Sequence, residues 1–232
     1  QIIPPFRVTC RREGDHLFRA TDIERDCGEI IYKQGYAVDL KNPKTTIFFD
    51  IKDQTCAMGR LLQKDLQKRA YRVRRNNAGI SATLAAALIK IAKTTPEESL
   101  FDPYCKDGVI AIEAVRQGFQ EVYATDPLEN NLRNAKINAK MAKTEIIWNT
   151  PEAVDSIITS YWVSAKQERS KERLIEFLGK AASLVKNKMV ILTNWKGIER
   201  RIQDTWSIEE KRVIMRGVIK NYIFCLLRKD RS

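Results

Sequence analysis

The sequence predicts an α/β protein: a doubly wound, mostly parallel sheet preceded by a short α+β module. Three observations carry this. From residue 99 onward, strand-like and helix-like stretches alternate. The first two strands of that region end in Asp102 and Asp126, 24 residues apart, with Gly108 in the turn after the first. Before residue 52 the pattern differs, with one amphipathic helix among three short strands.

Taken in order, residues 6–10 read as a strand. Residues 21–34 read as a helix capped by Thr21 or Asp22, with Ile23, Cys27, Ile30 and Ile31 at helical spacing. Residues 36–40 and 46–51 read as strands separated by a Lys-Asn-Pro-Lys turn. Ser81 caps an apolar helix over 82–93. Strands are then expected at 99–102, 121–125, 146–148, 156–159, 189–193 and 220–228, and helices at 109–117, 128–142 and 169–185. Residues 206–216 carry only a weak signal. The expected organisation is a module over 1–52, a basic linker and helix over 53–95, and the sheet domain over 96–232.

Composition narrows the function. The 232 residues include 44% hydrophobic residues, enough for a core, which excludes a disordered chain. No apolar run reaches the roughly 18 residues of a membrane span. The N-terminus lacks the basic-then-apolar order of a signal peptide, and its first residue, Gln1, suggests a fragment. Five scattered cysteines and the single His16 provide neither zinc-ligand spacing nor a histidine-based triad, so no metal is expected. A reduced, cytoplasmic compartment follows from the same cysteines.

The net charge of +12 points to a polyanionic partner. Residues 1–95 carry 18 Lys/Arg against 10 Asp/Glu, an excess of 8, and the remainder carries an excess of only 4. The densest cluster is Lys64, Lys68, Arg69, Arg72, Arg74 and Arg75, with Tyr71 inside it. Such a patch can neutralise phosphates while the aromatic ring stacks on a base, and it can equally be a solvated basic helix. At the sheet, Asp102 and Asp126 suit a nucleotide. A strand ends, a glycine turn follows, a helix N-terminus offers free N–H groups, and the next acid accepts from ribose hydroxyls.

Four separated segments together resemble one family. Residues 102–114 (Asp-Pro-Tyr-Cys-Lys-Asp-Gly-Val-Ile-Ala-Ile-Glu-Ala) look like the first motif of Rossmann-fold RNA methyltransferases, commonly Asp-Pro-Phe-Cys-Gly-Ser-Gly-Thr-Ile-Ala-Ile-Glu-Ala. Asp126 matches the acid of the second strand. Residues 68–72 (Lys-Arg-Ala-Tyr-Arg) match a Lys-Arg-Gly-Tyr-Arg segment, followed by the Leu-Ala-Ala helix at 82–92. Residues 6–52 resemble the second half of a THUMP domain. The chain is thus similar to THUMP-containing tRNA guanine-N2 methyltransferases. The resemblance implies a Rossmann-like domain that binds S-adenosylmethionine (SAM) through Asp102, Pro103, Tyr104, Gly108 and Asp126. It also implies a partial THUMP-like module, with RNA, most often tRNA, as partner, and a target base drawn out of its stack.

The resemblance also exposes three departures. The family's Asn/Asp-Pro-Pro-Tyr after the fourth strand is replaced by Ser160-Tyr161-Trp162-Val163. Ser160 retains one acceptor and Tyr161 or Trp162 an aromatic face, or these rings merely cap the sheet. The family's Gly-Ser-Gly becomes Lys106-Asp107-Gly108, which sets a cation beside a sulfonium unless Lys106 points outward. Between Asp126 and Asp155, only Asn149 and Glu152 remain to read an adenine amine. The expectation is an RNA-binding protein whose methyl transfer is weakened or lost. The alternatives are a catalytically inert paralogue, a partner subunit of an active methyltransferase, or a DNA amino-methyltransferase. A homodimer or a protein interface involving Trp195, Trp206 or residues 197–216 is a further option.

Overall fold

The computed structural model describes residues 1–63, 65–164 and 169–229. They form two compact units, Gln1–Leu66 and Gln67–Ser232.

The first unit holds β1 (Phe6–Glu13), α1 (Ala20–Lys33), β2 (Thr45–Lys52) and β3 (Thr55–Arg60). Strand order is β1-β2-β3, with β1 and β2 parallel and β3 antiparallel to β2. A βαβ crossover accounts for the parallel pair, since α1 must cover the face that Phe6, Val8 and Ile47 make apolar. Cys27 and Ile31 of α1 pack there. The helix starts one residue earlier than the sequence suggests. Asp22 acts from its first turn, accepting the Arg19 N–H at 2.8 Å, instead of capping it from outside. The strand expected at 36–40 shrinks to one bridge, Phe6 to Val38. Its continuation is captured by Asp39, whose carboxylate accepts the Lys41 and Asn42 N–H groups and turns the chain. β3 lies in the stretch read as linker. All six of its residues are exposed, so no alternation marks it.

The second unit is a six-stranded sheet of order β5-β4-β6-β7-β9-β8. Its strands are β4 (Leu100–Asp102), β5 (Val122–Ala124), β6 (Val154–Tyr161), β7 (Val185–Thr193), β8 (Trp206–Arg216) and β9 (Ile219–Arg228). The first four are mutually parallel, and β9 runs antiparallel between β7 and β8. Its helices are α2 (Ala82–Ala92), α3 (Val109–Arg116), α4 (Glu129–Ala142) and α5 (Ser170–Leu184). Residues of α2, α3 and α4 share one core with one sheet face, centred on Leu88, Ile110, Ile112 and Ile158. α5 covers the other through Leu174, Phe177 and Leu178. Ser81 caps α2, accepting the Leu84 N–H at 3.2 Å. Residues 146–148 contribute a single bridge, Tyr123 to Ile147. β8, barely visible in the sequence, is an edge strand with mostly exposed side chains.

The segment leading into α2 is fixed by buried acids. Glu113 of α3 accepts from Arg69 Nε at 2.8 Å, Arg69 Nη2 at 3.0 Å and the Tyr71 hydroxyl at 2.8 Å. Asp107, fully buried, pairs with Arg72 at 2.7 Å and accepts the Asn76 N–H at 3.1 Å. Asn138 of α4 ties in Arg74, accepting its N–H and donating to its carbonyl oxygen. Truncating Glu113→Ala strands a guanidinium and a phenol in a low-dielectric site. The expected cost is about 3–5 kcal/mol in urea unfolding, partly recovered by Glu113→Gln, which keeps one acceptor.

Candidate functional site

In an open parallel sheet, a crevice forms at the carboxyl ends of the strands where successive connections run in opposite directions. Here that point lies between β4 and β6, because β5 flanks β4 on the other side. Asp102 ends β4, and Ser160 and Tyr161 end β6, so the fold brings the expected cofactor and acceptor residues together.

The loop from β4 to α3 is tight. Cys105 N–H donates to the Thr125 carbonyl at 2.9 Å and Gly108 N–H to the Cys105 carbonyl at 2.7 Å. Gly108 has φ +81°, and a Cβ there would stand 3.1 Å from Ala135 Cβ and 3.2 Å from Ala135 Cα. Only glycine satisfies both conditions without strain. Lys106 also has positive φ, +53°, uncommon for a long side chain.

Lys106 points inward. Only 9% exposed, its Nζ donates to the Tyr104 carbonyl at 3.1 Å, to Ser160 Oγ at 3.1 Å, and to the Ser160 carbonyl. Three acceptors match the three N–H donors of an ammonium. Burial pulls the Lys106 pKa down, and the negative charge of Asp102 works in the opposite direction.

Asp102 is 1% exposed. Its Oδ1 accepts from Thr159 Oγ1 at 2.7 Å and from Tyr104 N–H at 3.3 Å. Its Oδ2 is buried without a hydrogen-bond partner among the described residues. Burial pushes the carboxyl up to about 7, with Lys106 and the Thr159 bond opposing. Pro103 is buried, and Tyr104 sets its ring edge-on to Tyr161 at 4.9 Å and Phe177 at 5.1 Å. Asp126, just past β5, accepts Lys106 N–H at 2.9 Å on Oδ2, and Leu128 N–H at 3.0 Å and Asn131 Nδ2 at 2.9 Å on Oδ1. It therefore clamps the first loop and starts α4. Asn149 and Glu152 both lie exposed.

The expected catalytic residues all have internal partners. Ser160, 2% exposed, holds Lys106. Tyr161 donates its hydroxyl to the Ser170 carbonyl at 3.0 Å. Trp162 donates Nε1 to the Ala78 carbonyl and carries the Arg216 guanidinium 4.6 Å over its ring. Arg216 also donates to the Gly79 carbonyl at 3.2 Å. Asn194, which no sequence pattern marked, locks Val163 from both sides, its Oδ1 accepting the Val163 N–H and its Nδ2 donating to the Val163 carbonyl.

The expected RNA-binding cluster divides. Arg69, Tyr71 and Arg72 answer buried acids, as described above. Tyr71 is 4% exposed, so its ring packs in the core and is closed to base stacking. Lys68, Arg74 and Arg75 are exposed, and Lys64 lies outside the described residues. A basic stripe unnoticed in the sequence is the exposed face of α4 and its C-cap: Arg133, Lys136, Lys140 and Lys143. Their i, i+3, i+7 and i+10 spacing was the available signal. Asn138, on the buried side of the same helix, holds the Arg74 backbone. Among the described residues no group of three His, Cys, Asp or Glu could hold a metal.

Whether SAM fits is decided by Lys106. Gly108, the buried Asp102 and the acid at β5 suit a nucleoside bearing an amino acid. A buried primary ammonium between the ends of β4 and β6 does not suit a sulfonium, and the residues present do not fit the cofactor.

A parallel sheet with acids at the ends of its first two strands, a glycine loop and an antiparallel last pair defines a Rossmann-like methyltransferase-type domain. Residues 69–221 match the RMKL-like methyltransferase domain family, and the chain belongs to that family. Residues 2–59 match the THUMP domain. A tRNA (guanine(6)-N2)-methyltransferase of Thermus thermophilus is 32% identical over 134 residues, 56% of this chain and 40% of the relative. The human U6 snRNA (guanine-N(2))-methyltransferase THUMPD2 is 31% identical over 146 residues, 60% of this chain and 28% of the relative. The chain thus spans less than half the length of these curated relatives. The crystal structure of TrmN from Thermus thermophilus is similar with a TM-score of 0.72 and 26% identity, over 97% of this chain and 72% of that one.

Asp102 makes a testable contribution to stability. A carboxyl whose folded pKa, about 7, stands above its ordinary 3.8 adds stability that is complete below about pH 4 and is lost as pH rises through about 7. Urea midpoints of the wild type should therefore fall between pH 5 and pH 8. Asp102→Asn should flatten that dependence, and parallel pH profiles would refute the assignment.

Proposed function

We propose that this chain is an RNA-binding member of the guanine-N2 methyltransferase family, with tRNA as its partner and methyl transfer weakened or lost. One observation carries the second half: the acceptor segment is Ser160-Tyr161-Trp162-Val163, and the Ser160 carbonyl and hydroxyl are both taken by Lys106. The lone pair of an exocyclic guanine amine is delocalised into the ring. Freeing it needs rigid acceptors for the amine hydrogens, placed before the reaction. Ser160 is buried with both oxygens already bonded to Lys106, and one face of Trp162 is covered by Arg216.

RNA binding is supported independently. Lys68, Arg74, Arg75 and the α4 stripe are exposed cations on one unit, the other unit matches THUMP, and the relatives named above act on tRNA and U6 snRNA. No described helix is long and apolar enough to cross a membrane, and the five free cysteines suit a reduced, cytoplasmic setting.

Filter binding of labelled tRNA over a salt series tests the RNA half. Affinity should fall steeply with salt. Combined charge reversal at Arg74, Arg75, Lys136 and Lys140 should lower it on the order of tenfold or more. The salt slope should become shallower by roughly one for each phosphate no longer neutralised. Unchanged binding would refute the surface. Labelled methyl transfer from SAM to tRNA should stay at background, and turnover like that of an active enzyme would refute the loss.

A further inference from the structure

We infer that Lys106 is a tethered cation that closes the cofactor crevice of this chain from within. The inference rests on the same Lys106–Ser160 contacts as the proposed loss of transfer and deepens that reading, but it concerns cofactor entry and does not depend on RNA. A ligand at a sheet of this order has to enter between the carboxyl ends of β4 and β6. The Lys106 side chain spans that gap, leaving the β4 loop at φ +53° and ending on Ser160 of β6.

The arrangement is self-consistent in charge and in hydrogen bonding. Tyr104 and Ser160 supply three oxygens to three ammonium protons. The ionised form of the nearby Asp102 carboxyl favours the ammonium electrostatically, without a direct hydrogen bond. An entering sulfonium would have to displace a satisfied ammonium, or share a low-dielectric gap with it as a like charge. Asp126 adds to the closure, because its Oδ2 already holds the Lys106 N–H. A ribose would compete for that oxygen with the loop's own backbone.

The same residue explains why the closure is reversible by a single substitution. The matching position in the resembling motif is glycine, and a positive φ is where glycine is least strained. Lys106→Gly therefore removes the plug and relieves the backbone together, leaving Asp102, Gly108 and Asp126 in place.

Calorimetric titration of the full chain with S-adenosylhomocysteine, a product-like probe, tests this. The wild type should give no saturable heat at millimolar probe. Lys106→Gly should bind at least about tenfold more tightly than the wild type, with a thermal unfolding midpoint at or above that of the wild type. Lys106→Ala provides the same readout if the glycine loop loosens the fold. Neither variant should regain methyl transfer, since removing Lys106 frees the Ser160 oxygens but restores neither the Asn/Asp nor the prolines that residues 160–163 lack. Saturable binding by the wild type, or no gain in a folded variant, would overturn the inference. Loss of tRNA binding alone would leave it standing.

Discussion

A carboxylate taken out of water needs a cation or donors, and the span from Asp102 to Glu113 buries three of them. Asp102 takes Thr159 and the Tyr104 N–H, Asp107 takes Arg72 and Asn76, and Glu113 takes Arg69 and Tyr71. This demand organises the second unit. It draws residues 69–76 onto α3 and α4 and sets the entry to α2. The three acids lie on the end of β4, its loop and α3, so charge compensation and the shape of the crevice are one problem.

That constraint changes what the positive charge means. Arg69 and Arg72 of the cluster between Lys64 and Arg75 are consumed internally, and its aromatic residue is core. Of that cluster, Lys68, Arg74 and Arg75 remain exposed, as does the basic face of α4. The proposed polyanionic partner is the one the sequence suggested, while its proposed surface lies nearer α4. The crevice undergoes the converse change. Residues that would serve a cofactor are in place, yet each candidate at the β6 end already has a partner: Ser160 in Lys106, Tyr161 in Ser170, Trp162 in Ala78 and Arg216. In the proposed function, recognition of RNA and chemistry on it are therefore separable.

The fold was legible because its signals are local. Alternating βα units, the Ser81 cap and the apolar run of α2 act within a few residues. What failed to show depended on exposure or on distant partners. β3 and β8 are solvent-facing edge strands, whose side chains follow no buried alternation. The strand at 36–40 gave way to the side chain of Asp39. The internal roles of Arg69, Tyr71 and Arg72 depend on acids 35 to 44 residues away, which no window around the cluster includes. The direction of Lys106 required knowing that Ser160, 54 residues on, would present its carbonyl across the gap.

The central claim is that the crevice between β4 and β6 is filled by the protein's own ammonium. The most direct measurement is a crystal structure of the full chain grown in millimolar S-adenosylhomocysteine. A crevice plugged from within would show Lys106 Nζ on Tyr104 and Ser160, with no nucleoside density beside Asp126. Nucleoside density at Asp126, with the Lys106 side chain swung out to solvent, would refute the plug.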